Sequence, residues 1–116
     1  VACAAGLATL DILESEQLIP RAKQMAPVFE ELLHSLKGSR YLSDIRNYGL
    51  AGALQIEPYP GEPLRRPHEI AWKCWQKGVY VRYGGDTIQM GLPFVVEREH
   101  IDHLVNVLGE ALAELD

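Results

Sequence analysis

The chain has 116 residues, 47% of them apolar and 23% charged, with a net charge of -5, which is the make-up of one ordinary globular domain. The acidic balance and the lack of any Lys/Arg block exclude a nucleic-acid footprint, since the adjacent pair Arg65-Arg66 is too small to form one. No apolar run reaches the roughly 20 residues of a membrane span, and the opening residues lack the basic region of a secretory signal.

Residues 1–14 predict a helix. Leu7, Leu10 and Leu13 recur at helical spacing, and Ala2, Ala4, Ala5 and Ala8 make a small-residue end that can lie close to another layer. No Ser, Thr, Asp or Asn caps its start, so it opens in mid-pattern, as a segment of a longer polypeptide would. Residues 21–37 predict a second helix on the stripe Ala22, Met25, Phe29, Leu32, Leu33 and Leu36, with Gly38 placed to end it. Pro27 lies inside that pattern. An interior proline costs about 3 kcal/mol, so a kink or break is expected near Lys23.

From Ser43 to Glu57, Ile45, Leu54 and Ile56 point to one extended segment around a glycine-containing bend. Glu57 to Pro63 is a loop, because three prolines and a glycine cannot sit inside a sheet. Pro67 is expected at the first position of a third helix. Ile70, Ala71, Cys74 and Trp75 would face inward, and Gly78 would end it. Val79–Tyr83 and Thr87–Leu92 predict two antiparallel strands joined by the turn Gly84-Gly85-Asp86. The last helix should span Glu97–Leu115 on the stripe Ile101, Leu104, Val105, Leu108, Ala111, Leu112 and Leu115, with Glu97, Glu99 and Asp102 near its positive end. The class is α+β: a small, three-stranded, largely antiparallel sheet with helices over one face.

Arg82 is the leading candidate for chemistry. It ends a strand beside a glycine-rich turn, and a guanidinium can bind a carboxylate through two parallel hydrogen bonds. The competing role is an internal ion pair with Asp86 or Asp44. Arg46 follows the strand-like Asp44-Ile45, and for it an ion pair or a solvated edge charge is favoured over a ligand role. Gly84-Gly85 is no phosphate cradle, since no helix follows it and neither GxGxxG nor GxxxxGK is present. His34, His68, His100 and His103 offer no metal-ligand set. His100 and His103 share an i, i+3 spacing, but zinc prefers four ligands. Trp72 and Trp75 are spaced to touch the core or an interface. Cys3 and Cys74 form no CxxC pair, which favours a reducing, cytoplasmic setting.

Three segments, Val1-Ala2-Cys3-Ala4-Ala5-Gly6-Leu7, Asp44-Ile45-Arg46-Asn47-Tyr48-Gly49-Leu50-Ala51-Gly52 and Tyr80-Val81-Arg82-Tyr83-Gly84-Gly85-Asp86-Thr87, resemble the C-terminal part of class III aminotransferases. The second and third are similar to the ω-amino acid:pyruvate (β-alanine:pyruvate) subgroup in particular. The resemblance runs through essentially the whole chain. It implies a fold-type-I enzyme using pyridoxal phosphate, working as a homodimer or homotetramer on amino acid and keto acid substrates. It implies that residues 1–14 are a linker helix packed on an N-terminal large domain, and that residues 15–116 are the small domain. Arg82 matches the family's arginine that grips the substrate carboxylate and swings aside for bulky amines. The lysine that would form the Schiff base has no counterpart among Lys23, Lys37, Lys73 and Lys77, so the resemblance also implies that this stretch alone is inactive. From the residues alone, a stand-alone carboxylate-binding module or an interaction domain stays open.

Overall fold

The structure is a computed structural model describing all 116 residues. Four helices, α1 (Ala2–Ser15), α2 (Leu18–His34), α3 (Arg65–Gln76) and α4 (Arg98–Ala113), combine with four strands, β1 (Leu42–Tyr48), β2 (Ala51–Ile56), β3 (Arg82–Gly84) and β4 (Thr87–Gly91). The sheet is antiparallel throughout, in the order β1-β2-β4-β3. The α+β class therefore holds, with four strands instead of three. The expected single strand after Ser43 is a hairpin. Tyr48 pairs with Ala51 across a two-residue connection. Gly49 takes φ +56° at its first central position, where an L-residue would be strained and a tight hairpin needs positive φ. Gly85 does the same between β3 and β4, at φ +59°.

Alternation assigns the two faces of the sheet. Leu54, Ile56, Ile88 and Met90 point to one side, where they meet Phe29, Leu33 and Leu36 from α2 and its following turn, Ile70 and Cys74 from α3, and the whole predicted stripe of α4. Gly52 belongs to the same face. A Cβ built there would stand 2.7 Å from Cζ of Phe29 and 2.9 Å from Cδ2 of Leu33, so glycine is what lets α2 lie against β2.

Several boundaries differ from the periodicity reading. Helix α2 begins at Leu18 and runs through Pro27 unbroken. Its burial of Phe29 and Leu33 against the sheet outweighs one missing backbone bond. Helix α3 starts two residues before Pro67, whose absent N–H still falls among the first-turn donors that have no intrahelical partner. Arg66, in that first turn, is buried; it donates to the carbonyls of Glu57 and Pro58 and lies 3.5 Å from the Tyr41 ring centre, pinning the proline-rich loop. Residues 79–81 are not strand, because the α3 C-terminus uses Val79: its N–H bonds the Cys74 carbonyl while Gly78 bonds Trp75, the two linked bonds that close a helix. Trp75 does not face the core. It is 61% exposed, and Trp72 is 55% exposed; α3 buries only the narrow stripe Arg66, Pro67, Ile70 and Cys74, which turns both indoles outward.

Helix α4 starts on a capping box, with His100 Nδ1 accepting from the Glu97 N–H. Helices α3 and α4 are joined at the surface by Lys73 and Lys77 with Glu110 and Glu114, at 2.6–3.2 Å. Hydrogen bonds from Lys73 and Lys77 hold the Glu114 carboxyl below the usual carboxylate range. Helix α1 stands apart. It buries no residue, leaves Leu7 and Leu10 largely exposed, and joins α2 through Gln17 at φ +53°. It stretches the chain to 49 × 31 × 23 Å, with a radius of gyration of 16.1 Å, against about 13 Å for a compact domain of this length. No helix is long and apolar enough to cross a membrane.

The cysteines separate cleanly. Cys74 is fully buried, and that burial pushes its thiol up to about 11, against the opposing pull of Lys77. Cys3 is exposed on α1. Since the thiolate is the reactive form, a maleimide at neutral pH is expected to add once to the folded chain, at Cys3, and twice in urea. Mass spectrometry counts the adducts, and rapid double labelling without urea contradicts this packing.

Candidate functional site

The second face of the sheet carries no helix, and register orders its side chains into rows, because directly opposed residues share a face. One row reads Arg46, Ala53, Gln89, Arg82. The next reads Asp44, Gln55, Thr87, Gly84. A third reads Tyr48, Ala51, Gly91. All of these are exposed or half-buried. The two arginines singled out in the sequence thus lie in one row, on opposite edge strands of the same open face.

They are held differently. Arg46 donates from Nη1 to Asp44 Oδ2 at 2.8 Å and to Gln55 Oε1 at 2.9 Å, which is the expected ion pair. Arg82 has no hydrogen-bond or ion-pair partner in the chain. The two acids expected to compete for it are engaged elsewhere: Asp44 by Arg46, and Asp86 by Gln55 Nε2 at 3.2 Å and Thr87 Oγ1 at 2.9 Å. Beside Arg82, Gly84 leaves room for the Gln89 amide, whose Nε2 would lie 2.9 Å from a Cβ built there. Arg82 also lines a hollow of about 300 Å³ at the sheet edge, with Trp72, Trp75, Tyr80 and Tyr83 among its walls. His68 and Tyr83, bonded at 3.1 Å, continue from it into a wider groove of about 660 Å³ that runs past Arg65 and Glu69.

Asp86 was weighed from the sequence only as an ion-pair partner of Arg82, and Gln89 and Gln55 were not singled out, although a signal for Gln89 exists. A two-residue turn at Gly85-Asp86 fixes Gly84 opposite Thr87, and hence Arg82 opposite Gln89. Gln55 required the misread hairpin. The histidines are scattered: His34 Nε2 donates to Asn47 Oδ1, His68 meets Tyr83, His100 caps α4, and His103 lines a separate hollow. No group of three or more His, Cys, Asp or Glu side chains converges as a metal site would require.

None of the four lysines lines the hollow that Arg82 lines. Lys77 bonds Glu110 at 2.6 Å and Glu114 at 3.2 Å, and these bonds raise its ammonium above the ordinary lysine range. Lys73 bonds Glu114 at 3.1 Å. Lys23 is exposed on α2. Lys37 lines a hollow beside β1, at the sheet edge opposite β3.

Residues 1–112 match the family model described as aminotransferase class-III. The chain is 53% identical over 112 residues to a beta-alanine–pyruvate aminotransferase of Pseudomonas aeruginosa, covering 97% of this chain and 25% of that protein. It is 47% identical over 115 residues to an omega-amino acid–pyruvate aminotransferase of Pseudomonas putida, covering 99% and 26%. The chain thus spans about a quarter of the length of these curated relatives. Among solved structures, an adenosylmethionine-8-amino-7-oxononanoate aminotransferase from Methanocaldococcus jannaschii superposes with a TM-score of 0.90 at 30% identity, covering 98% of this chain and 27% of that one. A PMP-bound aminotransferase from Vibrio fluvialis superposes with a TM-score of 0.84 at 26% identity, covering 95% and 26%.

Proposed function

We propose a function from one premise: this chain belongs to the aminotransferase class-III family. It is the C-terminal, substrate-gripping part of an ω-amino acid:pyruvate aminotransferase, and Arg82 is the group that takes the carboxylate of pyruvate or of an ω-amino acid. The observation that carries this is a guanidinium without an internal partner, on the open face of a rigid sheet, with both nearby acids bound to other groups. The names of the two Pseudomonas relatives support the reaction class.

Class III chemistry uses pyridoxal phosphate, which supplies an electron sink for moving an amino group. This chain's residues do not fit that cofactor. An imine-forming lysine works as the free amine and is usually activated by desolvation or a neighbouring cation. Lys73 and Lys77 are instead bonded to glutamates on α4 and beside its end, and Lys23 and Lys37 are exposed on the surface. The cofactor and its lysine therefore belong to the remaining length of the polypeptide. Residues 15–116 act as the small domain over that site. Residues 1–14 are a linker helix whose apolar side chains pack on the large domain, which accounts for their exposure here. The enzyme works as a homodimer or homotetramer in the cytoplasm.

What these residues contribute is recognition. A bidentate contact fixes the acid's position and direction together. The edge placement of β3 leaves Arg82 free to turn away when a donor has no carboxylate. The direct test is to supply the full-length enzyme with β-alanine and pyruvate and to follow L-alanine by chromatography. Alanine formed in step with loss of β-alanine is expected. Transfer to 2-oxoglutarate with none to pyruvate rejects the subgroup.

A further inference from the structure

The open face carries one continuous hydrogen-bonded chain. Asp44 accepts from Arg46, Arg46 also donates to Gln55 Oε1, Gln55 Nε2 donates to Asp86 Oδ2, and Thr87 Oγ1 donates to Asp86 Oδ1. Donors and acceptors alternate without a conflict. With its oxygen taken by Arg46, the Gln55 amide must present its NH₂ to Asp86; reversed, it would set oxygen against carboxylate and NH₂ against guanidinium.

The end of this chain lies next to Arg82. Register places Arg82 diagonal to Thr87 in β4, and diagonal positions are within reach of long side chains. Asp86 is bonded to that same Thr87, so it is the acid best placed to neutralise Arg82. Each of its oxygens instead accepts a hydrogen bond from another side chain, Oδ2 from Gln55 in β2 and Oδ1 from Thr87.

We propose that Gln55, oriented by Arg46, is a positioning residue that detains the Asp86 carboxylate so that Arg82 keeps its paired N–H edge for a substrate acid. The inference rests on the reading of Arg82 as the carboxylate grip. Gln55 touches no substrate. It acts by removing an internal competitor, and the selectivity it confers is confined to substrates that carry a carboxylate.

The test uses the full-length enzyme and compares pyruvate with a carboxylate-free amine donor. Gln55→Leu releases Asp86 to Arg82, and the KM for pyruvate is expected to rise on the order of fivefold, the weight of an exposed ion pair that must first be broken, with kcat and the amine's KM unchanged. Thr87→Val, which removes the other hold on Asp86, moves the pyruvate KM in the same direction. Adding Asp86→Asn to either variant restores the starting value, because no carboxylate is left to compete. A packing defect would impair both substrates and would not be rescued. Arg82→Ala separates the two layers. If it raises the pyruvate KM while Gln55→Leu and Thr87→Val leave it unchanged, or Asp86→Asn rescues neither, the positioning role is overturned and the grip stands. If Arg82→Ala itself leaves pyruvate untouched, both readings fall.

Discussion

Arg82→Ala in the full-length enzyme is expected to lower kcat/KM for pyruvate by roughly 30- to 1,000-fold, which corresponds to about 2–4 kcal/mol for a charge-assisted bidentate contact in a partly dry site. The loss should be selective. A primary amine without a carboxylate makes no demand on the guanidinium, so its half-reaction should change little. Arg82→Lys should recover only part of the loss, because an ammonium keeps the charge but not the planar fork that matches two oxygens. Separate half-reactions, followed through the cofactor's absorbance, measure each side. Equal losses for pyruvate and for the amine would remove Arg82 from substrate recognition. The expectation depends on the structural fact that no carboxylate of this chain holds Arg82, for a guanidinium already paired at home would give up much of that selectivity.

The second large effect lies under the sheet. Gly52→Ala would drive a methyl group into Phe29 and Leu33, both fully buried. Overpacking of this kind costs about 1–3 kcal/mol. Phe29→Ala removes the largest side chain of the core instead, at about 3–5 kcal/mol. The two changes meet at one place, so they should not add. With Phe29 trimmed, the methyl group at position 52 enters the space the ring vacates, and the cost of Gly52→Ala should vanish or reverse. Urea titration of the four proteins gives the coupling, with midpoints shifting and slopes constant. Strict additivity would mean that α2 does not rest on Gly52 as described.

Much of this fold is legible in the sequence because single elements announce themselves. The α4 stripe from Ile101 to Leu115 repeats at helical spacing, and every member of it is buried. The β3–β4 hairpin follows from Gly85 between two alternating runs. What escaped the sequence depends on how elements meet. Tyr48 to Ala51 reads as a bend, because the small residues Gly49, Ala51, Gly52 and Ala53 blur the alternation, and only pairing with a neighbouring strand resolves two strands there. Trp75 looks like a core residue by composition, yet the narrow contact of α3 turns it outward. Pro27 reads as a break because propensity is local, while α2 is held by the sheet beneath it. Arg82 stood out by type and setting. Its freedom from partners did not, since that depends on where Asp44 and Asp86 direct their oxygens.

The β3 strand is the shortest of the four, at three residues, and it forms an outer edge of a sheet whose open face is uncovered. Such an edge is a ready template for a stray strand, and length and flatness are what make it dangerous. Here an arginine begins it and a glycine turn cuts it off, so a passing chain finds too few backbone groups in line to add on. The brevity of the strand that carries Arg82 thereby guards the protein against edge-to-edge aggregation.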